Sequence, residues 1–391
     1  MAFPLNVAIA SAVRTPIARA VKGVLRDTRP DDLAAIAVAE ALARVEGLSG
    51  ADVDDVVLGC AMPEGAQGLN IARNVALLAG LPDSVGGETI NRFCSSGLQA
   101  IAHGAQSVQT GSQQVVVAGG VESMSQVPMS TARVSLNPEI VNKHPEIYIS
   151  MGNTAENVAR KFDVSREAQD KFALWSHHKA VAAIKGGRFK DEIVTVKARR
   201  FEGGEVHEVN FDTDEGPRAD TTFEALSGLK PVFAAKDGSV TAGNSSPLND
   251  GAAAVVLLSD AKMQELGLKP LGRIRAFTIA GVPPEIMGIG PVPAIQKLLK
   301  LVGMTIDDID RFEINEAFAS QAIYTQRELK IPDDKLNVNG GGIAIGHPLG
   351  CTGARLTTSL LYELKRSGGK FGIVSMCVGG GMGAAGLFEL N

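Results

Sequence analysis

The stretch "LVGMTIDDIDRFEINEA", residues 301–317, repeats in outline a stretch near the start of the chain, "VEGLSGADVDDVVLGCA", residues 45–61. Each leaves an apolar helix through a glycine, passes an Asp-Asp element and enters a short β-like segment. Working outward, a second pair matches. After "NRFCSS", Leu98, Ile101, Ala102, Ala105 and Val108 fall at helical spacing. Gly111 closes that run, and "QVVVAGG" follows as a buried strand. After "GHPLGCT", Leu356, Leu360, Leu361 and Leu364 do the same, Gly368 and Gly369 close the run, and "FGIVSMCVGGG" follows. Alternating strands and helices predict a mainly parallel or mixed sheet covered by helices, here in two similar halves. Residues 121–245 break the pattern with a charged helix and several loops, so they read as an insert; "TAGNSSPLNDGAAAVVLLSD", 241–260, returns to a core strand.

Composition sets the bounds. The 391 residues are 45% hydrophobic and 21% charged, enough for a large core and too apolar for a disordered chain. A net charge of −5 argues against nucleic acid as a partner. No apolar run reaches the roughly 18–20 residues of a membrane span. "LNVAIASAV" near the start reads as a buried first strand and not as a secretion signal. Cys60, Cys94, Cys351 and Cys377 show neither CxxC spacing nor a metal-ligand pattern. They are expected as reduced thiols in a cytoplasmic protein that holds no metal.

Four residues stand out chemically. Cys94, in the small polar turn "NRFCSSG", opens a helix. It is either a small structural residue or a nucleophile whose thiol is made more acidic by the helix N-terminus. His347, between Gly346 and Pro348 in "NGGGIAIGHPLGCTGAR", sits in a stiff loop that a ligand could approach closely. An imidazole titrating near neutrality there could take the thiol proton. Cys377 ends a strand in "SMCVGGGMG", whose glycines leave backbone N–H groups open for an oxyanion. Asn315, after the strand of "FEINEAF", either holds a water or an oxyanion, or caps the helix of "EAFASQA". The other histidines, His103, His144, His177, His178 and His207, read as structural or exposed.

Together "NRFCSSGLQAI", "GGVESMS", "NEAFA", "GGGIAIGHPLGCTGAR" and "CVGGGMG", in this order along nearly the whole chain, resemble the thiolase family of acyl-CoA acyltransferases. The resemblance implies an α/β thiolase fold: two similar halves in a layered αβαβα arrangement, with an inserted loop domain that binds CoA. It divides the chain into an N-terminal half at 1–120 completed by 246–270, the insert at 121–245, and a C-terminal half at 271–391. It implies Cys94 as the residue that accepts the acyl group, His347 as its activator, and Cys377 as the acid and base at the acetyl carbon. Asn315 would hold a water that forms one oxyanion hole with His347; the N–H groups of Cys94 and Gly379 would form the other. Ser246, Ala242, Met151, Arg218, Phe233 and Phe318 would line the CoA and acyl path, although Met151 and the two phenylalanines also read as ordinary core.

The activity implied is thiolytic cleavage of a 3-ketoacyl-CoA by CoA, run in reverse as a Claisen condensation. No cofactor is expected, CoA being a substrate. A homodimer or homotetramer is expected, with room for a hydratase/dehydrogenase partner. Ser150 stands where short-chain biosynthetic members carry histidine, and "QGLNIAR" and "IMGIGPVPA" resemble the β-oxidation members. The rival readings are an acetoacetyl-CoA thiolase working in the biosynthetic direction and a non-catalytic acyl-CoA-binding protein. A condensing synthase fits less well, since those enzymes lack a second catalytic cysteine at the position of Cys377.

Overall fold

The computed structural model describes residues 3–129 and 135–390. The first half runs β1 (Val7–Arg14), β2 (Ala18–Arg19), α1 (Pro30–Ala43), β3 (Asp55–Gly59), α2 (Ile71–Leu78), β4 (Glu88–Ile90), α3 (Ser96–Gln109) and β5 (Val115–Ser123). Then come α4 (Pro138–Lys143), α5 (Met151–Lys161), α6 (Arg166–Lys185), the hairpin β6 (Val196–Glu202) and β7 (Glu205–Phe211), and α7 (Phe223–Ser227). The chain returns through β8 (Asn249–Leu258) and α8 (Asp260–Glu265). The second half is β9 (Gly272–Gly281), α9 (Pro291–Val302), β10 (Arg311–Ile314), α10 (Ala319–Leu329), α11 (Leu349–Ser367), β11 (Phe371–Val378) and β12 (Met382–Glu389).

Hydrogen-bonded strands follow the order β10-β11-β12-β9-β1-β8-β5-β3-β4. Read inward from β10 and from β3, the two halves mirror each other and meet at β9 and β1. That junction is short: Val7, Ala8 and Ile9 face Ile274, Arg273 and Gly272. The repeat seen in the sequence holds at the level of single hydrogen bonds. Ser49 N–H and Oγ both donate to Asp52; Thr305 N–H and Oγ1 both donate to Asp308. Asp54 accepts from the N–H groups of Gln114 and Val115, and Asp310 accepts from those of Lys370 and Phe371. Each aspartate thus fixes the register of a parallel pair, β3 with β5 and β10 with β11.

Strand alternation builds the layers. Val115 and Val117 of β5 pack with Leu33 and Val38 of α1 and Ile71 and Val75 of α2. Val116 and Ala118 point the other way, into one cluster with Leu98 and Ile101 of α3, Leu356 and Leu360 of α11, and Val374 of β11. Ile373 of β11 turns outward to Ile295 and Leu298 of α9 and Ala322 of α10. The result is helix, sheet, helix, sheet, helix, with α3 and α11 in the middle layer.

The segment between β5 and β8 is anchored on the layers by buried charge. Arg14 of β1 donates to Glu192 at 2.6 Å and, with both terminal nitrogens, to Asp214 at 2.7 and 2.9 Å. Ser176 of α6 donates to Glu316 at 2.6 Å. Glu316 also accepts from Asn337 and from the Ile343 N–H, which ties this segment to the glycine-rich loop before His347. Among the described residues, no helix is long and apolar enough to cross a membrane.

Candidate active site

The middle helices bring the two motifs together. Gly97 and Gly353 face each other where α3 and α11 cross. A Cβ on Gly97 would lie 2.7 Å from the Gly350 carbonyl oxygen, and one on Gly353 2.7 Å from Leu98 Cβ. Only glycine permits this approach. It places the start of α11 against the single turn Phe93–Ser95 that opens α3, and Leu349 packs with Cys94, Ala61 and Met124. Phe93 holds a left-handed φ of +43°, a conformation that side chains tolerate poorly and that recurs at active sites. Asn91 Oδ1 receives its N–H at 2.8 Å.

His347 is buried and held on three sides. Gly346, at φ +124°, lies flat against Asn249. Asn249 accepts the His347 N–H at 2.9 Å and donates to the Ala18 carbonyl at 2.9 Å. The ring Nδ1 lies 2.6 Å from Thr352 Oγ1. Beneath it Glu122, the last-but-one residue of β5, accepts from Gly350 N–H at 2.8 Å, Ala61 N–H at 2.8 Å and Gln67 Nε2 at 2.7 Å. One carboxylate therefore clamps the start of α11 to the loop after β3.

The second half supplies the opposite wall. Cys377, fully buried in β11, packs with Met287 and Ala317, and Met151 and Phe318 lie against that cluster. The Phe93–Ser95 turn touches β11, and the Cys94 sulfur lies close enough to affect the Cys377 thiol. Asn315 follows β10, its N–H bonded to Ser375 O at 2.9 Å. Both polar atoms of its side-chain amide are buried and have no hydrogen-bond partner among the described residues. Such an amide costs on the order of 1–3 kcal/mol. It marks a place built to receive a polar ligand atom or water. The helix-cap alternative for Asn315 does not hold: α10 starts at Ala319, with Phe318 in the capping position. Phe318 is kept extended by a bridge to Ser245, and Ala319 N–H bonds to Asn244 O.

Electrostatics overturns two expectations. Burial pushes the Cys94 thiol up to about 12, although the N–H groups of Gly379 and of Cys94 itself point at the sulfur and pull it back. A helix start cannot make the thiol acidic when its surroundings are dry. Burial likewise drives His347 down to about 3, and the charge of Arg355 acts in the same direction. Both the thiol and the imidazole are therefore neutral at rest. Cys377 is raised by burial, then by the neighbouring Cys94. All four cysteines are free.

The residues expected to line a ligand path divide. Met151 and Gly379 adjoin: a Cβ on Gly379 would meet the Met151 sulfur and the Phe93 ring at 3.6 Å. Phe233 and Phe318 meet edge to face at 6.2 Å, and Phe233 also covers Gly152. Ser246 N–H bonds to Ala317 O at 2.9 Å. Ala242 and Arg218 are exposed, and Arg218 N–H donates to His177 Nδ1 at 3.3 Å. Sequence reasoning missed Glu122, Asn249 and Thr352. The first two lie inside motifs already singled out, but their partners are far away in the chain. Thr352 also lies inside a quoted motif, five residues beyond His347, so its nearness in the chain could have found it.

Comparison with known proteins identifies the family and the fold. The pattern "Thiolase, N-terminal domain" matches residues 7–261, and "Thiolase, C-terminal domain" matches 268–390. A 3-ketoacyl-CoA thiolase of Bacillus subtilis is 55% identical over 387 residues, 98% of both chains. The peroxisomal 3-ketoacyl-CoA thiolase 2 of Arabidopsis thaliana is 46% identical, over 98% of this chain and 84% of its own. The crystal structure of the Bacillus anthracis acetyl-CoA acetyltransferase superposes over the whole of both chains, with a TM-score of 0.90 at 47% identity. The chain belongs to the thiolase family.

Proposed function

We propose that this enzyme cleaves 3-ketoacyl-CoA with CoA through an acyl group carried on Cys94. The observation that carries the reading is the meeting of two buried thiols, Cys94 and Cys377, beneath backbone N–H donors and beside an unpartnered amide. Cys94 sulfur attacks the 3-keto carbon, and its proton passes to His347. The bond to the neighbouring carbon breaks, its electron pair leaves as the acetyl-CoA enolate, and Cys377 gives that carbon a proton. Incoming CoA returns a proton to Cys377 and attacks the acyl group. His347 then returns its proton to Cys94. The Cys94 and Gly379 N–H groups are preorganised for one oxyanion, and His347 with a water on Asn315 for the other.

A soft sulfur nucleophile suits a thioester, and dryness keeps the enolate from stray protonation. In this reading CoA enters as substrate and no resident cofactor takes part. Ser246, Ala242, Met151, Arg218, Phe233 and Phe318 line its path. The free thiols suit a reducing cytoplasm. The edge strand β4, with exposed Leu69, Leu77 and Leu78 beside it, favours a homodimer or a homotetramer built from such dimers. The relative described as an acetyl-CoA acetyltransferase supports a second reading, in which the same site chiefly condenses two acetyl-CoA molecules. Incubation with an acyl-CoA, followed by intact mass and peptide mapping, tests the acyl-enzyme: the label belongs on Cys94, and a label on Cys60 or Cys351 overturns the assignment.

A further inference from the structure

Thr352 Oγ1 lies 2.6 Å from His347 Nδ1 and 2.8 Å from the Pro348 carbonyl oxygen. Two oxygens at that separation repel unless a proton lies between them. A carbonyl has no proton to give, so the threonine hydroxyl proton points at Pro348. The hydroxyl has only that one proton. Towards the imidazole it can therefore only accept, which puts the ring proton on Nδ1. The first half repeats the pattern with partners that allow no other choice. Ser96, the counterpart of Thr352, donates to the Phe93 carbonyl at 2.7 Å and accepts the Arg92 N–H at 2.9 Å.

We propose that Thr352 is a positioning residue: it holds His347 as the Nδ1–H tautomer and so leaves Nε2 bare to accept the Cys94 proton. This rests on the acyl-enzyme reading above. As sulfur bonds to the acyl carbon, its S–H bond breaks and the proton moves to Nε2, while the other ring proton stays on Nδ1, donated to Thr352 Oγ1. The resulting imidazolium donates from Nε2. In the Ser-His-Asp arrangement a carboxylate both orients the ring and stabilises its positive charge. A hydroxyl orients without stabilising. Arg355, on the same helix as Thr352 and fully buried with no hydrogen-bond partner on its guanidinium among the described residues, adds a repulsive charge. The proton is therefore held briefly and given back readily.

Thr352→Val removes the acceptor at nearly constant shape. It should lower kcat for thiolysis on the order of 10²–10⁴-fold, the usual range for losing acid–base catalysis, with KM within about threefold. Thr352→Ser should recover activity to within about tenfold. Nitrogen-15 spectra of histidine-labelled wild-type protein, with His347 identified by its loss in His347→Asn, should show a protonated Nδ1 and a bare Nε2 at neutral pH. The tautomer itself is read on the wild-type protein, so it does not depend on a Thr352 variant folding. A bare Nδ1 overturns the proposal. So does a Thr352→Val enzyme of normal kcat, or a loss that serine fails to restore, which would mark a packing role. Absence of acyl-Cys94 in the wild type would instead sink the underlying mechanism, and the nitrogen-15 result would still decide the tautomer.

Discussion

Residues 91–97, "NRFCSSG", and 347–353, "HPLGCTG", occupy the same place in the two halves, 256 positions apart. Both open a middle-layer helix, both carry a hydroxyl that bonds back into its own turn, and both end on a glycine at the helix crossing. The chemistry enters where they differ. Cys94 stands where the second half has Gly350, and His347 where the first half has Asn91. Asn91 spends its side chain on local backbone, accepting from Phe93 and donating to Ala61. Gly350 has no room for a side chain at all: a Cβ there would lie 2.7 Å from Val121 O and 2.8 Å from Cys60 Cα. The duplication thus provides two equivalent helix starts, and the packing around each decides which position is free to react.

The sharpest way to break this comparison is to exchange the two roles. Cys94→Ala should lower turnover by on the order of 10⁵-fold or more, as the loss of a nucleophile does. It should leave the melting temperature nearly unchanged, because the removed sulfur packs in a small satellite cluster. Gly350→Ala should do the reverse in kind. Its methyl group has to displace backbone, and the Gly350 N–H is drawn off Glu122, leaving a buried carboxylate one donor short. A destabilisation of about 3 kcal/mol or more is expected, with the loss of activity following from misplacement of His347. Thermal melts and thiolysis assays on both variants would decide. A Gly350→Ala enzyme as stable as wild type would mean that the two positions are not separated by packing.

A second contrast lies one strand over. Cys377 of β11 corresponds to Val121 of β5, and both are fully buried. Val121 faces the outer cluster with α1, whereas Cys377 adjoins the candidate site. Cys377→Ala should still allow acylation of Cys94, since the nucleophile and its base remain. Exchange of acetyl-CoA methyl protons with deuterated water should slow by about 10²–10⁴-fold. Undiminished exchange would remove Cys377 from the proton transfer and leave it as the packing equivalent of Val121.

Much of this was legible in the sequence, for physical reasons. Helical spacing after "NRFCSS" and "GHPLGCT" reports a buried stripe, and the duplicated Asp-Asp element reports a register lock that each half needs. What was not legible depends on contacts made only after folding. Glu122 meets Gly350 across 228 positions, and Asn249 meets His347 across 98. No local pattern encodes either contact. The thiol and imidazole shifts were misjudged for the same reason: a helix start lowers a thiol pKa in water, but desolvation is a property of the assembled layers and outweighs it here. The helix of "NEAFA" begins later than its sequence suggests because Phe318 is claimed by Ser245 from the returning chain.

The segment between β5 and β8 has no counterpart in the second half, and it should set substrate range rather than chemistry. Ser150 and Met151 begin α5 there, and the Ser150 side chain makes no capping hydrogen bond. It is exposed, so it fills little space, whereas a histidine in its place would reach further beside Met151. Turnover should therefore extend from the four-carbon substrate to medium-length 3-ketoacyl-CoAs. Each methylene buried contributes roughly 0.8 kcal/mol, so four further carbons could gain on the order of 3 kcal/mol before ordering costs. The measurement is kcat/KM for thiolysis of four-, eight- and twelve-carbon substrates. Turnover confined to four carbons would favour the acetyl-CoA-condensing reading. Ser150→His sharpens the test. Because no hydrogen bond is lost, stability should hold within about 0.5 kcal/mol, as for most exposed substitutions. If this position limits the pocket, the ratio of eight- to four-carbon kcat/KM should fall by about tenfold, the effect expected when one or two methylenes lose their place. An unchanged ratio would move the determinant of chain length away from the start of α5, towards the Phe233 and Phe318 pair that closes over the same helix.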